Sequence, residues 1–192
     1  MNMAATVEAQ TTEIIGAEAL FRAHASFVAG FLVRLGVRPA DLDDLMQEVF
    51  VVAHRRGGFQ PGPARPTTWL ARIAIRVAMA HRRTRTRQWG ELDEEAVLSA
   101  VGSDPSPQAQ AEAAESLSIV QRALETLDVE RRALFVLFEI EGESCDDIAA
   151  GLGIPVGTVY SRLHAARRDF QKAYAKLTGR VQAPRQQAGA LR

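Results

Sequence analysis

The residues best placed to do chemistry on a partner lie at 144–170, in the run SCDDIAAGLGIPVGTVYSRLHAARRDF. At about 100° per residue on a helix, Val156, Val159, Leu163, Ala166 and Phe170 fall in one narrow apolar stripe. The opposite face carries Thr158, Ser161, His164, Ala165 and Arg168, flanked by Tyr160, Arg162 and Arg167. Hydroxyls and an imidazole can exchange hydrogen bonds with base edges, while guanidinium groups neutralise phosphates. A helix buried on one side and small, polar and basic on the other suits the major groove of DNA. Just upstream, Ser144 with Asp147 three residues later has capping-box form and would turn Ile148, Ala149 and Leu152 inward. Gly151 and Gly153 predict a tight turn, and Pro155 predicts the start of a second helix. An ordinary helical hairpin with solvated arginines has the same periodicity, so the rest of the chain must decide between the two.

A second constellation follows Thr67. Residues 65–87 contain seven arginines and no acid. On a helix, Trp69, Leu70, Ile73, Ala74, Val77 and Ala80 share one side, with Arg72, Arg76 and Arg83 opposite, joined by Ile75 and Met79. Arg82, Arg85 and Arg87 extend the basic surface. A helix so rich in cations is suited to phosphate contact. Exposed Ile75 and Met79 would suit unstacked bases. A solvated surface helix that happens to prefer arginine is the blander reading. A third face lies on DLDDLMQEVFVVAH, which should bury Leu42, Leu45, Met46, Val49 and Ala53. Asp41 and Asp43 in its first turn complement the helix dipole. Asp44, Gln47, Glu48 and Val51 form a mixed acidic and apolar surface, which suits docking on a basic protein partner.

These faces need helices to position them, and nearly every periodic segment reads as helix. The expected fold is all-α, as two small helical domains joined by a flexible acidic linker. The first domain, 17–87, should contain helices at 17–35 and 41–54, with Leu20, Phe27, Phe31 and Leu35 in its core. A proline- and glycine-rich stretch, FQPGPARP, precedes a long helix capped by Thr67 or Thr68. Residues 88–110 form the linker, and 91–115 hold seven acids without one Lys or Arg. The second domain, 111–177, adds helices marked by Leu117, Val120, Leu124 and Leu127, and by Leu134, Phe135, Leu137 and Phe138. Residues 1–16 and 178–192 are expected to be disordered.

Formal net charge is zero over the 192 residues, but an average conceals two basic blocks, 65–87 and 148–192, the second with eight basic residues against the single Asp169. The single Cys145 excludes an internal disulfide and reads as a small, buried or half-buried side chain. MNMAATVEAQTTE lacks the basic and apolar regions of a signal peptide, and no apolar run reaches the roughly 18 residues of a membrane span, so a cytoplasmic protein is expected. His24, His54, His81 and His164 share no metal-ligand spacing, and no phosphate loop or nucleophile elbow appears. The chain is expected to be no enzyme and to hold no cofactor.

Three stretches, DLDDLMQEVFVVAHR, TTWLARIAIRVAMAHRRTR and ALETLDVERRALFVLFEIEGESCDDIAAGLGIPVGTVYSRLHAARRDF, together resemble the bacterial RNA polymerase sigma factors of the extracytoplasmic-function (ECF) group. They occur in that family's order and spacing, over about residues 17–176. The resemblance implies that Asp41, Asp44, Gln47, Glu48 and Val51 dock on the clamp helices of core RNA polymerase. It implies that Phe59, Trp69, Arg72, Ile75, Arg76, Met79, Arg82 and Arg83 recognise and melt the minus-10 promoter element, whose flipped base the loop before the basic helix captures. Thr158, Tyr160, Ser161, Arg162, His164, Ala165, Arg167 and Arg168 would read the minus-35 duplex, with the same domain on the polymerase beta flap. The acidic linker would thread towards the active-site and RNA-exit channels. An anti-sigma factor wrapped between the two domains is a further implied partner. Tyr160 and Ala165 depart from the basic residues many members place there, which keeps open a sigma-like fold without promoter activity. A free-standing helix-turn-helix regulator is the other alternative.

Overall fold

The computed structural model describes residues 13–89 and 107–179, with side chains at 13–87 and 114–179. These residues form α1 (Ala17–Arg34), α2 (Pro39–Arg55), α3 (Pro66–Trp89), α4 (Pro107–Glu125), α5 (Val129–Phe135), α6 (Cys145–Leu152) and α7 (Val156–Leu177). A single π-helical turn, Val136–Ile140, continues α5. Among the described residues the one β pairing is an isolated antiparallel bridge between Ile15 and Phe59. The all-α, two-domain expectation holds. Most of the expected linker and tail lies outside the described residues, as do residues 1–12.

Helices α1, α2 and α3 pack on one another through Leu20, Val28, Phe31, Val49, Leu70 and Ile73. Helices α4 to α7 close around Leu124, Leu134, Leu137, Ile148 and Leu163. The predicted stripes are the buried ones, with partial exceptions. Phe27, Leu42, Met46, Trp69 and Phe170 are half-buried, Phe50 joins the core, Ala80 and Leu117 are exposed, and Val156 is exposed at the open first turn of α7.

Local chemistry explains the helix ends. The Ser144 hydroxyl accepts from the Asp147 amide at 3.1 Å and donates to the Asp147 carboxylate at 2.8 Å, so the predicted cap of α6 is present. Gly153 ends that helix at φ +69°, a left-handed conformation that suits glycine. Gly151, expected in the turn, instead lies within α6 and is buried. A Cβ there would stand 2.5 Å from Cβ of Thr68, so the missing side chain lets α6 lie against α3.

Four boundaries differ from expectation. α3 starts at Pro66, ahead of both predicted caps, because proline's fixed φ suits a first helical position. Thr68 is buried and donates its hydroxyl back to the Arg65 carbonyl at 2.9 Å. α3 continues to Trp89 and α4 begins at Pro107, both inside the expected linker; PQAQAEAAES is dense in helix formers after an initial proline. Residues 13–16, expected to be disordered, are held where Ile15 and Phe59 exchange two backbone hydrogen bonds of 2.9 Å.

Asp41 ties α2 to α3. Its carboxylate accepts from Arg38 Nε at 2.9 Å and lies 3.2 Å from His81 Nε2 and 3.9 Å from Arg85. Burial pushes this carboxyl's pKa up, but hydrogen bonds and positive charge from Arg38 and His81 outweigh it, leaving the pKa below its ordinary 3.8. A carboxyl of lowered folded-state pKa stabilises the fold above its unfolded pKa, and the contribution is lost as pH falls through the folded one. Asp41→Asn should therefore cost about 1–2 kcal/mol at pH 7. The difference from the parent chain should shrink below pH 3.8, which urea midpoints measured from pH 7 to pH 3 would show.

Candidate nucleic-acid and docking surfaces

The α2 surface separates cleanly from the core. Asp44, Gln47, Glu48 and Val51 are all exposed, and neither acid has an ion-pair partner among the described residues. Asp41 is not part of that free surface, because its carboxylate is engaged towards α3. Phe21 of α1, exposed and set edge-on to Phe50 at 5.0 Å, adds an aromatic that the sequence reading did not mark.

On α3, Arg76, Arg82 and Arg83 are exposed, as expected of phosphate contacts. Ile75 is not: at 9 % exposure it is buried, and Met79 is half-buried. Both line a cleft with Leu134, Leu152 and Ile154 of the second domain, whose apolar residues cover the face expected to be bare. Arg72 is half-buried against the turn at Gly153. Phe59, expected in an open loop, is only 4 % exposed and packs edge-on to Trp69 at 5.7 Å. The exposed part of that loop is Gln60 to Pro63 together with Arg65.

On α7, Val159, Leu163 and Ala166 are buried, and Phe170 packs on Phe135 at 4.6 Å. That packing leaves Tyr160, Ser161, His164, Arg167 and Arg168 exposed, with Thr158, Arg162 and Ala165 half-buried. The Ser161 hydroxyl donates to the Thr158 carbonyl at 3.1 Å. The arginines already hold acids. Arg162 pairs with Glu130 at 2.6 Å, Arg168 with Asp169 at 3.2 Å, and Arg167 with Glu139 while lying over the Phe138 ring. Glu130 and Glu139 were missed because their proximity to α7 arises only on folding. These exposed pairs are worth little in water, so a phosphate can displace the acid. Among the described residues no group of three His, Cys, Asp or Glu could hold a metal, and no helix is long and apolar enough to cross a membrane.

Fold and surfaces define a class: a helical protein with a helix-turn-helix in one domain and, in the other, a basic helix beside an exposed acidic face. Residues 20–88 match Sigma-70 region 2, and residues 111–170 match Sigma-70, region 4. The ECF RNA polymerase sigma factor SigE of Mycolicibacterium smegmatis is 35% identical over 158 residues, covering 82% of this chain and 61% of that protein's length. The RNA polymerase sigma-H factor of Pseudomonas aeruginosa is 33% identical over 157 residues, 78% of this chain and 81% of that one. In fold, the chain is similar to the sigma factor RpoE of Bartonella quintana, solved in complex with the anti-sigma factor NepR. That likeness has a TM-score of 0.65 at 22% identity, covering 81% of this chain and 94% of the other. The chain belongs to the ECF family of RNA polymerase sigma factors. A free-standing regulator is not favoured, since it has no use for a region 2 domain.

Proposed function

We propose that this chain binds core RNA polymerase and directs it to a two-part promoter, with α2 as its docking face, α3 as its melting helix and α7 as its minus-35 reader. The observation that supports this best is the pairing, within one domain, of the unpaired Asp44–Glu48 surface with an acid-free basic helix. A DNA-binding regulator acting alone needs neither. Opposite charges on adjacent faces let one domain hold a basic protein surface and an anionic strand together. In the second domain, Tyr160, Ser161 and His164 face base edges and Arg167 and Arg168 face phosphates, so contact with the minus-35 duplex leans on shape as well as hydrogen bonds. An anti-sigma factor is a further partner in this reading, since the similar RpoE chain was solved in complex with one. No catalytic step belongs to this reading.

Run-off transcription tests it. Purified protein, core polymerase and a template carrying the region upstream of the chain's own gene should yield a discrete transcript only when both proteins are present. Tight binding of duplex DNA by the chain alone, without any association with core polymerase, would overturn the reading.

A further inference from the structure

The chain enters the basic helix α3 through an exposed loop, and loops place functional groups less precisely than helices do. Residues Gln60 to Pro63 are exposed and make no hydrogen bond with another described residue. Pro61 and Pro63 have no N–H to offer and a fixed φ. The loop is therefore located by its two ends. At its rear, the Arg65 carbonyl accepts from the Thr68 hydroxyl at 2.9 Å and from the Trp69 amide at 3.0 Å. At its front, Phe59 packs edge-on against Trp69, and its backbone exchanges two hydrogen bonds of 2.9 Å with Ile15, which precedes α1.

That front anchor is itself rooted. The Gly16 carbonyl accepts from the Leu20 amide at 3.0 Å, and Leu20 is fully buried in the first domain's core. Gly58 lets the two strands of chain meet. Its φ of +89° is a left-handed conformation, and an added Cβ would stand 2.5 Å from the Ile15 carbonyl oxygen and 3.1 Å from Cγ2 of Ile14. The segment buries little of its own surface: Ile14 is 50 % exposed, Gly16 is exposed and Ile15 is half-buried. Its bonds go to the root of the loop. A segment that served only to fill the core would turn an apolar side chain fully inward and would need no glycine opposite its carbonyl.

We infer that residues 14–16 are positioning residues for promoter reading: they brace the loop at Phe59 so that Gln60 to Pro63 meet the melted minus-10 strand in one fixed arrangement. The inference rests on the reading of α3 as the melting helix. At about 1.5 Å per residue, exposed Arg76 lies roughly 15 Å along α3 from its start at Pro66, so a strand held by these cations reaches the loop within a few nucleotides. Phosphate attraction is independent of sequence, whereas contact with bases depends on where the loop stands. Releasing the brace should therefore cost discrimination between bases more than it costs affinity for the strand.

The test uses the full chain as holoenzyme with core polymerase. Templates carry the region upstream of the chain's own gene, with each minus-10 position changed in turn to the other bases, and run-off rates give a discrimination ratio at every position. Ile15→Pro removes the N–H that the Phe59 carbonyl accepts. It should lower the largest ratio at least about fivefold, with core binding within about twofold of the parent. Gly58→Ala should act in the same direction, and the conservative Ile15→Val, which keeps the N–H, should retain the parent ratio. Deleting residues 2–12 should leave the ratios as they are, while deleting residues 2–15 should reproduce Ile15→Pro. Unchanged ratios in both Ile15→Pro and the longer deletion would overturn the inference. So would an equal loss on every template, or loss of core binding by both, since either makes the segment a general support of the domain. A parent chain that gives no transcript with core polymerase would overturn the sigma reading instead, so the two failures are distinct.

Discussion

Arg132→Ala should lower the unfolding free energy by about 3 kcal/mol, one of the largest losses expected from a single side chain here. Arg132 lies in α5, is 4 % exposed, and donates to three carbonyls: Leu35 at 2.8 Å, Glu125 at 2.9 Å and Leu127 at 3.1 Å. Those oxygens lie at the ends of α1 and α4, where helices leave carbonyls without intrahelical partners. One guanidinium therefore closes two helix ends in two domains. Burial lowers its pKa to about 10, with Glu125 and Asp128 pulling it up and Arg82 pushing it down. It remains cationic at neutral pH, so its bonds are charge-assisted. Gly36 leaves room for it, since a Cβ there would stand 2.6 Å from Nη1. Alanine would remove the three donors and leave buried carbonyls unpaired. Arg132→Lys should recover only part of the loss, because one ammonium on a flexible stem cannot reproduce the planar fork. Urea midpoints of both variants against the parent decide the matter, and an unchanged midpoint for alanine would show that water satisfies these carbonyls.

How much of this was legible in the sequence depends on the range of the interaction. Periodicity is local, so the apolar stripes of α1, α2 and α7 could be read directly, as could the Ser144 cap and the exposed acids of α2. Residues whose role depends on a distant partner were not legible. Ile75 lies at an outward position on α3, and only the second domain makes it a buried one. Gly151 resembled a turn glycine because its neighbour Thr68 is remote in sequence. Arg132 sits in a charged run, VERR, with nothing local to separate it from solvated Arg131. The pairing of Arg162 with Glu130 and Arg167 with Glu139 likewise changes the electrostatics of the reading helix through contacts made only on folding. Phe59 was read as an accessible loop residue because the composition around it is that of a loop. Its burial comes from Trp69 and the isolated backbone bridge with Ile15.

Opposite charge reversals on neighbouring helices should separate the two jobs of the first domain. Asp44→Arg with Glu48→Arg should weaken binding to core polymerase at least tenfold, about 1.4 kcal/mol or more. These acids are four residues apart on one helical face and lie exposed without ion-pair partners. Their replacement should therefore shift stability by no more than about 0.5 kcal/mol, and loss of binding would report the surface rather than the fold. Arg76→Glu lies on the other face, exposed on α3. It should leave core binding intact and reduce open-complex formation, because a cation that neutralises a phosphate becomes an anion that repels it. The salt dependence offers an independent readout. Losing one phosphate contact should flatten the slope of DNA affinity against salt by about one unit, whereas the α2 variant should leave that slope unchanged. Permanganate footprinting of the melted strand, alongside a core-binding assay, would distinguish the outcomes. If the α2 reversal spared core binding and the α3 reversal abolished it, the two faces would have to exchange roles, and α3 would be the polymerase contact instead.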